Sequence, residues 1–411
     1  MSQPVSHLTG RDPATGQVLR VDTDRGLITA VTAVTAVDAD ADRWIAPGLI
    51  DLQVNGYHGF DLNEPELRPQ TVTGLVHALA AVGVTTVVPT LITAPEDQLL
   101  ASLATIAAAR RSSRHLAHAI PYVHVEGPFL SDQDGPRGAH DARYIRPPDP
   151  AEVGRWHRAS GGLVGLVTVS PHWPGSDAFI RAVTGLGVRV AVGHTHATSD
   201  QVHQAVAAGA TMSTHLGNGA HATLPRHPNY LWAQLADDSL HLGLIADGHH
   251  LPADTFKAMV RAAGPDRVHL VSDATELAGM PPGRYVTTVG DAVELSPDGR
   301  LGLVGSPYLA GAARGLDECV AIATALGSLT LAQALTLATR NPARLLGPTI
   351  PTRGSGPTRG SGPTRGSGPT RAVGPRRGVL APGTAADLMT FDFAPGDQRL
   401  RVVTVLTAAS T

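Results

Sequence analysis

Cysteine, lysine and long apolar runs are scarce in this chain of 411 residues. These scarcities argue against internal disulfides, a lysine-bridged metal pair and membrane helices. The one cysteine, Cys319, cannot form an internal disulfide, and the helical composition of residues 315–325 predicts a small buried side chain, not a nucleophile. No segment approaches the roughly 18 apolar residues of a membrane helix. Residues 1–10 lack the basic start and apolar run of a secretory leader. We therefore expect a cytoplasmic protein without a membrane partner.

Lysine is the scarcer of the two basic residue types, since Lys257 is the only lysine among 32 basic residues. It lies in a helical stretch after Pro252, so the sequence places no lysine at a strand end, where a carboxylated lysine could bridge two metal ions. The formal net charge is -3, and nothing in the sequence indicates a nucleic-acid partner.

The chain does contain a regular alternation of short apolar strands and helical stretches. The predicted strands are 44–55, 85–92, 118–126, 163–170, 188–194, 210–215, 240–247 and 268–273. The helical stretches between them include 71–82, 95–111, 199–208 and 252–263. This alternation predicts an α/β fold, a (β/α)8 or TIM-like barrel, in which the carboxyl ends of the strands meet in one crater.

Both ends of the chain have short alternating segments around glycine and aspartate, which suits antiparallel strands. We expect residues 1–44 and 379–411 to form a small β-sandwich beside a barrel of residues 45–346. Residues 347–378 contain the hexapeptide Pro-Thr-Arg-Gly-Ser-Gly in tandem repeats. Because this segment has almost no apolar side chains to bury, we expect a disordered surface loop there.

Three residues that can ligate a metal stand at the ends of three different strands. Glu126 ends Val-His-Val-Glu, His194 follows Val-Ala-Val-Gly, and His215 follows Met-Ser-Thr. A catalytic zinc-type site needs about three nitrogen or oxygen ligands and one open position. The sequence predicts one divalent metal per subunit; Zn²⁺ is our first expectation, and Fe²⁺, Co²⁺ or Mn²⁺ also suit these ligands.

A carboxylate and two amides accompany this predicted metal site. Asp273 ends the apolar segment Leu-Val-Ser-Asp and is our candidate catalytic acid and base for a metal-activated water. The first strand ends with Gln53 and Asn55, which we expect to hold that water. Such a set predicts a metallohydrolase with one tightly held metal.

Loops after the strands offer donors for a polar substrate. His140, Asn218, Gly219 and the segment Asp247, Gly248, His249, His250 all follow strand ends. His140 or His250 could stabilise an oxyanion. Arg226 could bind a phosphate or carboxylate.

Several motifs together resemble the N-acetylglucosamine-6-phosphate deacetylases of the amidohydrolase superfamily. They are APGLIDLQVNG (46–56), PTLIT (89–93), HVEGPFL (124–130), RGAH (137–140), GHTHAT (193–198), THLGN (214–218), IADGHH (245–250), VSDAT (271–275), LVGS (303–306), NPAR (341–344) and PGTAADL (382–388). They run in the family's order and cover nearly all of the chain except the repeat.

The resemblance implies a metal-dependent hydrolase that releases acetate from N-acetyl-D-glucosamine 6-phosphate. It implies metal binding by Glu126, His194 and His215, and acid–base catalysis by Asp273. The sugar contacts that it implies are Ala139, His140, Asn218, Gly219, Asp247, Gly248, His249, His250, Val304, Gly305 and Ser306. Arg226 would reach the 6-phosphate of a substrate in a neighbouring subunit, which implies a homodimer.

The sequence departs from the family pattern over residues 217–229, and His249 stands where the family more often has leucine. These changes affect the sugar and phosphate end of the pocket and leave the metal end intact. An alternative substrate is therefore another acetylated amino sugar, an unphosphorylated one or a related N-acyl compound. A non-catalytic barrel that binds a sugar phosphate is a more remote alternative, because fold alone does not determine function.

Overall fold

The computed structural model describes residues 6–35, 42–287, 292–305, 308–347 and 376–409. The strands are β1 (Ser6–Arg11), β2 (Val18–Asp24), β3 (Leu27–Ala33), β4 (Trp44–Pro47), β5 (Leu49–Val54), β6 (Gly56–Tyr57), β7 (Phe60–Asp61), β8 (Val84–Ile92), β9 (Val123–Glu126), β10 (Val164–Val169), β11 (Arg189–Val192), β12 (Met212–Ser213), β13 (His241–Ile245), β14 (Val268–Val271), β15 (Gly283–Val286), β16 (Ala292–Leu295), β17 (Leu301–Leu303), β18 (Leu388–Asp392) and β19 (Arg401–Leu406). The helices are α1 (Pro69–Ala81), α2 (Glu96–Ser112), α3 (Arg114–Ala119), α4 (Pro150–Ala159), α5 (Ser176–Gly185), α6 (Ser199–Ala208), α7 (Tyr230–Ala236), α8 (Ala253–Ala263), α9 (Leu316–Gly327), α10 (Leu331–Ala338) and α11 (Arg340–Ala343).

An eight-stranded sheet forms the barrel, in the order β14-β13-β12-β11-β10-β9-β8-β5. Neighbouring strands along it pair in parallel. The barrel closes just beyond the last strands, where Asp273 N donates to Gln53 O at 3.0 Å and Val54 bridges Ala274. Parallel strands bring their carboxyl ends to one face, so the predicted (β/α)8 barrel is confirmed.

Strands from both ends of the chain form a separate six-stranded sheet, in the order β19-β18-β4-β1-β2-β3. Its apolar face buries a small core of its own, made by Val21, Ile28, Ile45, Ala386 and Leu388. The expected small β domain formed by the chain ends is therefore confirmed. Residues 348–375, which include the hexapeptide repeat and most of the predicted disordered loop (347–378), lie outside the described residues.

The expected first barrel strand, 44–55, is two strands that belong to different sheets. Residues Trp44–Pro47 pair with β18, whereas Leu49–Val54 pair with β8 in the barrel. The chain crosses from one sheet to the other at Gly48, where a Cβ atom would lie 2.2 Å from Thr85 Oγ1. Only glycine allows this close approach, so the single-strand prediction was wrong at that point.

The expected strand 118–126 begins later, because His118 belongs to α3 and the strand starts at Val123. His118 Nε2 lies 2.8 Å from Asp387 Oδ1, beside β18. Arg377 donates to the carbonyl oxygen of His118 at 2.8 Å. These contacts fix the small β domain against the barrel and explain a polar residue where the sequence suggested a strand.

Other helix predictions agree closely with the structure. The predicted segment 199–208 is helix α6, which begins with a capping box between Thr198 and Gln201 and is capped at its end by Gly209. Cys319 lies in α9 and is fully buried, as expected of a small apolar side chain. Within the described ranges, no helix is long and apolar enough to cross a bilayer.

A three-stranded antiparallel sheet, β15-β16-β17, follows the last barrel strand and was not predicted. It has its own apolar contacts, in which Val293, Leu295 and Leu301 are buried. The turn between β16 and β17 carries Arg300, which reaches the mouth of the barrel. We call the segment from β15 to the loop after β17 the excursion. It forms a side of the barrel mouth that the barrel strands do not supply.

Candidate active site

A cavity of about 500 Å³ opens at the carboxyl ends of the barrel strands. The residues that line it are Asn55, Asp61, Asn63, Ile92, Glu126, Gly138, Ala139, His140, His194, His215, Asn218, Gly219, His249, His250, Asp273, Thr275, Glu276, Arg300, Tyr308, Leu309, Ala310 and Gly311. Some of these residues lie at strand ends or in the first loop positions after them, and the others come from more distant loops.

Three predicted metal ligands converge at the bottom of this cavity. His215 Nε2 lies 3.0 Å from Glu126 Oε1, and His194 Nε2 lies 3.3 Å from the same oxygen. The two Nε2 atoms are 3.1 Å apart. All three side chains are buried. Two imidazole nitrogens and a carboxylate oxygen that face one point form a donor set typical of a divalent transition metal.

The orientation of His194 supports this interpretation. Its Nδ1 lies 2.8 Å from the carbonyl oxygen of Pro136, so Nδ1 carries the proton and Nε2 presents a lone pair to the centre. Although burial opposes charge on either group, Glu126 raises the pKa of His215 to about 9, and the histidines lower the pKa of Glu126. The electrostatic field that favours a proton on His215 would also attract a cation.

His140 lies closer to the predicted metal ligands than its predicted role as a substrate contact requires. Its Nε2 is 3.3 Å from His194 Nε2, and its Nδ1 is 2.9 Å from Thr93 Oγ1. Glu126, His140 and His194 form a group whose ligand atoms lie within 4.8 Å of one another. Burial and the neighbouring His194 lower the pKa of His140 to about 3, so the ring is neutral near pH 7. His140 is thus a fourth potential ligand, which sequence reasoning did not identify as one.

Asp273 lies beside this donor set and is held by the two predicted amides. Gln53 Nε2 donates to Asp273 Oδ1 at 3.0 Å, and Asn55 Nδ2 donates to the same oxygen at 2.8 Å. Gln53 Nε2 also contacts Glu126 Oε1 at 3.0 Å, so one amide links both carboxylates. Burial, followed by the charge of Glu126, raises the pKa of Asp273 to about 6. Such a pKa suits a group that exchanges protons near neutral pH.

The backbone is strained at three of these residues. His194, His215 and Asp273 have φ angles of 45°, 26° and 51°, in the left-handed region that non-glycine residues rarely adopt. Each residue lies two positions beyond its strand. A conformation of this kind costs of order 1–3 kcal/mol per residue and is concentrated at functional sites. The left-handed conformation ends each strand and directs the side chain into the cavity.

Gly219, a predicted sugar contact, lines the cavity and also packs against a metal-ligand candidate. A Cβ atom at Gly219 would lie 2.5 Å from His194 Nδ1, and its φ of +56° favours glycine. Asn218 and Ala139, also predicted, line the same cavity. The glycine lets the loop after β12 approach the imidazole of His194.

His250 and Asp247 form a buried pair at the cavity. His250 Nδ1 lies 2.7 Å from Asp247 Oδ2, and Asp247 Oδ1 accepts the amides of His249 and His250 at 2.9 Å each. Burial raises the pKa of Asp247, but the hydrogen bond and charge of His250 outweigh it and lower that pKa to about 2. The ionised Asp247 orients His250 from behind, and Nε2 is left to face a ligand. Asp247 and Gly248 are not themselves among the lining residues.

Some predicted contacts lie elsewhere in the described chain. Arg226 is exposed and does not line the cavity of its own chain. Val304 and Gly305 line a separate pocket of about 270 Å³. Ser306 lies outside the described residues. Roles for these residues in sugar binding remain predictions.

Several lining residues had no signal in the sequence. Arg300 and Tyr308 belong to the excursion after β14, and their segments contain only the turn and polar residues of an ordinary loop. Asp61 and Glu276 also line the cavity; burial, then the charge of Asp61, raises the pKa of Glu276 to about 7. Their positions depend on the packing of loops and could not be read from strand ends.

The chain matches the model of the amidohydrolase family over residues 44–350. The amidohydrolase family is metal-dependent, in agreement with the donor set at the bottom of the cavity. Glu126, His140 and His194 therefore form a candidate metal-binding site.

Similarity to characterised proteins is extensive. The chain is 32% identical to an N-acetylgalactosamine-6-phosphate deacetylase of Escherichia coli O157:H7, over 78% of this chain and 83% of that protein. It is 32% identical to an N-acetylglucosamine-6-phosphate deacetylase of Danio rerio, over 74% and 76%. A mutant N-acetyl-D-glucosamine-6-phosphate deacetylase of Mycobacterium smegmatis, solved with N-acetyl-D-glucosamine-6-phosphate, superposes with a TM-score of 0.81 at 28% identity, covering 98% of both chains. The chain therefore belongs to the amidohydrolase family and, within it, to the N-acetylglucosamine-6-phosphate deacetylases.

Proposed function

We propose that the chain hydrolyses the acetamide of N-acetyl-D-glucosamine 6-phosphate to acetate and D-glucosamine 6-phosphate. The observation that carries this proposal is the convergence of Glu126, His194 and His215 on one point, with Asp273 held beside them at the bottom of the cavity. The similar enzymes named for phosphorylated N-acetyl amino sugars support the substrate.

Glu126, His194 and His215 would hold one divalent metal, with His140 close enough to join them. A metal bound there would supply a Lewis acid and would lower the pKa of a bound water to about 7. Zn²⁺ is our first expectation, because imidazole and carboxylate ligands in this number suit it, and Fe²⁺, Co²⁺ or Mn²⁺ remain alternatives. We further infer a cytoplasmic location.

Asp273 would take the proton of the attacking water and return it to the departing nitrogen. Its Oδ1 accepts both amide donors, so Oδ2 is the oxygen left for proton transfer. The two hydrogen bonds hold this carboxylate in place, which reduces the reorganisation that the reaction requires. Protonation matters most when the carbon–nitrogen bond breaks, because the sugar nitrogen leaves poorly as an anion.

His250 lines the cavity and would polarise the acetyl carbonyl. Asp247 fixes the ring by its contact with Nδ1, which leaves Nε2 as the ring atom that would approach the oxygen that gains charge. Asn55 contributes a second polar atom, since its Oδ1 is buried and has no hydrogen-bond partner among the described residues. An unsatisfied buried acceptor at a cavity wall favours a ligand that donates to it.

The 6-phosphate requires a cation, and the chain offers two candidates. Arg226 is exposed on its own subunit, so its proposed contact requires a homodimer in which it reaches the partner's cavity. Among the described arginines, Arg300 lines the cavity of its own chain. An arginine can bind phosphate through two parallel hydrogen bonds.

A second candidate substrate is N-acetylgalactosamine 6-phosphate. The similarity to the Escherichia coli O157:H7 enzyme extends over 83% of that protein and supports this alternative. The two sugars differ in the configuration of one hydroxyl. The acetamide chemistry would be the same.

The test is acetate release from metal-analysed protein with four substrates: the 6-phosphates of N-acetylglucosamine and N-acetylgalactosamine, and both unphosphorylated sugars. We expect the highest kcat/KM with N-acetylglucosamine 6-phosphate. Arg226→Ala should lower the preference for phosphate, whereas the control Arg25→Ala, an exposed arginine of the small β domain, should not. Acetate from none of the four sugars, with metal bound, would refute the proposed activity and favour a different acyl substrate or a binding protein.

A further inference from the structure

A second group of metal-ligand residues lies outside the cavity, on three neighbouring barrel loops. Asp132 follows β9, His172 follows β10 and His196 follows β11. None of the three lines the catalytic cavity. We call this group the outer triad. It arises from the same property of the barrel as the catalytic site, since the loops after adjacent parallel strands lie side by side.

The ligand atoms of the outer triad are close together. Asp132, His172 and His196 each offer one such atom, and all of these lie within 4.8 Å of one another. The centroids of the two imidazole rings are 3.9 Å apart. Asp132 is exposed and the histidines are half-buried, so solvent can reach the group. Tetrahedral ligands around a zinc ion, each about 2.0–2.2 Å from it, have comparable separations.

Hydrogen bonds orient both imidazoles in the same way. His172 Nδ1 lies 2.6 Å from Ser170 Oγ, and His196 Nδ1 lies 2.6 Å from Ser131 Oγ. With both Nδ1 atoms engaged, Nε2 is the ring atom that each histidine can offer to a metal. Hydrogen bonding of the other ring nitrogen is the usual support for a metal-ligating histidine, because it fixes the ring and its tautomer.

The two serines are themselves held, so the arrangement does not depend on loose side chains. Ser170 Oγ donates to Thr195 Oγ1 at 2.8 Å, and the amide of Ser131 donates to the carbonyl of His194 at 2.9 Å. Both serines are fully buried. The supporting residues therefore belong to the packed part of the barrel, although the ligands face solvent.

We propose that Asp132, His172 and His196 bind a second divalent transition-metal ion, distinct from the one at the bottom of the cavity. Two imidazoles and a carboxylate favour Zn²⁺ or Co²⁺ over Mg²⁺ or Ca²⁺, which prefer oxygen ligands alone. Water completes the coordination on the exposed side. The ion joins the loops after β9, β10 and β11.

The position of the outer triad gives this ion a structural role. Ser131 contacts both His196, through its hydroxyl, and His194, through its amide. A metal on His196 thus stabilises the segment that carries His194, whose backbone is strained at φ 45°. Ions that bind only the folded state raise its stability in proportion to the logarithm of their concentration. We expect added Zn²⁺ to raise the melting temperature further in the wild type than in variants of the triad.

The test counts metal ions per chain after dialysis against Zn²⁺, by elemental analysis, in the wild type, His172→Ala and Asp132→Asn. His203→Ala, an exposed histidine of α6 outside the triad, is the matched control. We expect two ions per chain in the wild type and the control, and one in each triad variant. One ion in all four proteins, or two in all four, would overturn the proposal.

Cobalt separates the two sites independently of activity. In a His215→Ala variant, which lacks a ligand of the inner site, Co²⁺ should still give a visible absorption band that disappears when His172→Ala is added. If the band survives the second substitution, the outer triad is not its origin and the proposal fails. Retained acetate release by His172→Ala shows that the variant is folded, so loss of metal cannot be assigned to unfolding.

Discussion

The bottom and the rim of the catalytic cavity are built by different means. At the bottom, Glu126, His194, His215 and Asp273 stand at or just after barrel strands, and all are buried or nearly so. At the rim, Arg300 and Tyr308 come from an excursion beyond the last strand, and Tyr308 is 68% exposed. The first group is fixed by backbone pairing, the second by loop packing.

This difference separates the chemistry from its specificity. Substituting a residue at the bottom should change the reaction itself, because hydrogen bonds and ligand contacts there link almost every polar group to another. Substituting a residue at the rim should change which sugar binds and leave the turnover of bound substrate nearly intact. Active sites of barrel enzymes vary in this way, since their loops change while the strands persist.

The largest effect should follow from Asp273→Asn at the bottom. Asparagine cannot accept the proton, so kcat should fall by about 10²–10⁴-fold, the range for loss of a general acid or base. Elemental analysis should show unchanged metal content, because the proposed ligands remain. Acetate release at the wild-type rate would remove Asp273 from the mechanism.

Gln53→Ala should have the next largest effect. Gln53 Nε2 contacts both Glu126 and Asp273, so it positions a ligand and the proposed base together. Loss of a residue that hydrogen-bonds a metal ligand typically lowers metal affinity or activity by about 10–100-fold. We expect kcat to fall within that range and the acid limb of the pH profile to move, which a merely structural residue would not cause. Gln204→Ala, an exposed glutamine of α6, provides the control.

Arg300→Ala at the rim should act on binding alone. Loss of one hydrogen bond to a charged phosphate costs about 1.5 kcal/mol, equivalent to roughly a tenfold higher KM. The increase should appear with N-acetylglucosamine 6-phosphate and be absent with the unphosphorylated sugar. Arg284→Ala, an exposed arginine of the same excursion that does not line the cavity, should leave both values unchanged. A fall in kcat instead of a rise in KM would contradict the division between bottom and rim.

The smallest effect near neutrality is that of pH. Burial and the charge of Glu126 raise the pKa of Asp273 to about 6, and the proposed base must be ionised. Activity should therefore be nearly full at pH 7 and about half of its plateau near pH 6, and then fall about tenfold per unit below that. A profile of kcat/KM between pH 4 and 8, with Arg300→Ala giving the same apparent pKa, would locate this titration at the bottom of the cavity. A shifted pKa in that rim variant would contradict the account.

Sequence reasoning succeeded where the chemistry depends on strand ends. The apolar runs before Glu126, His194, His215 and Asp273 indicated four barrel strands, and the barrel brings the ends of those strands together. The positive φ angles at the last three residues were not visible in the sequence, because non-glycine side chains give no warning of such a backbone.

It failed where position depends on contacts distant in the chain. The strand expected over 44–55 is divided by the close approach of Gly48 to Thr85, which periodicity cannot reveal. His118 was assigned to a barrel strand, although its contact with Asp387 places it at the interface with the small β domain. The outer triad has a related cause: Asp132, His172 and His196 lie several residues beyond their strands, and the sequence does not show which loop side chains meet.

The measurement that tests the central claim most directly is acetate release from N-acetylglucosamine 6-phosphate by metal-stripped protein, before and after Zn²⁺ is restored. His172→Ala should be used, so that only the inner site can be loaded. The account predicts no turnover in the stripped protein and full recovery at one ion per chain, whereas the corresponding Asp273→Asn variant should recover about 10²–10⁴-fold less. Full acetate release by stripped protein, or none after reloading, would contradict it.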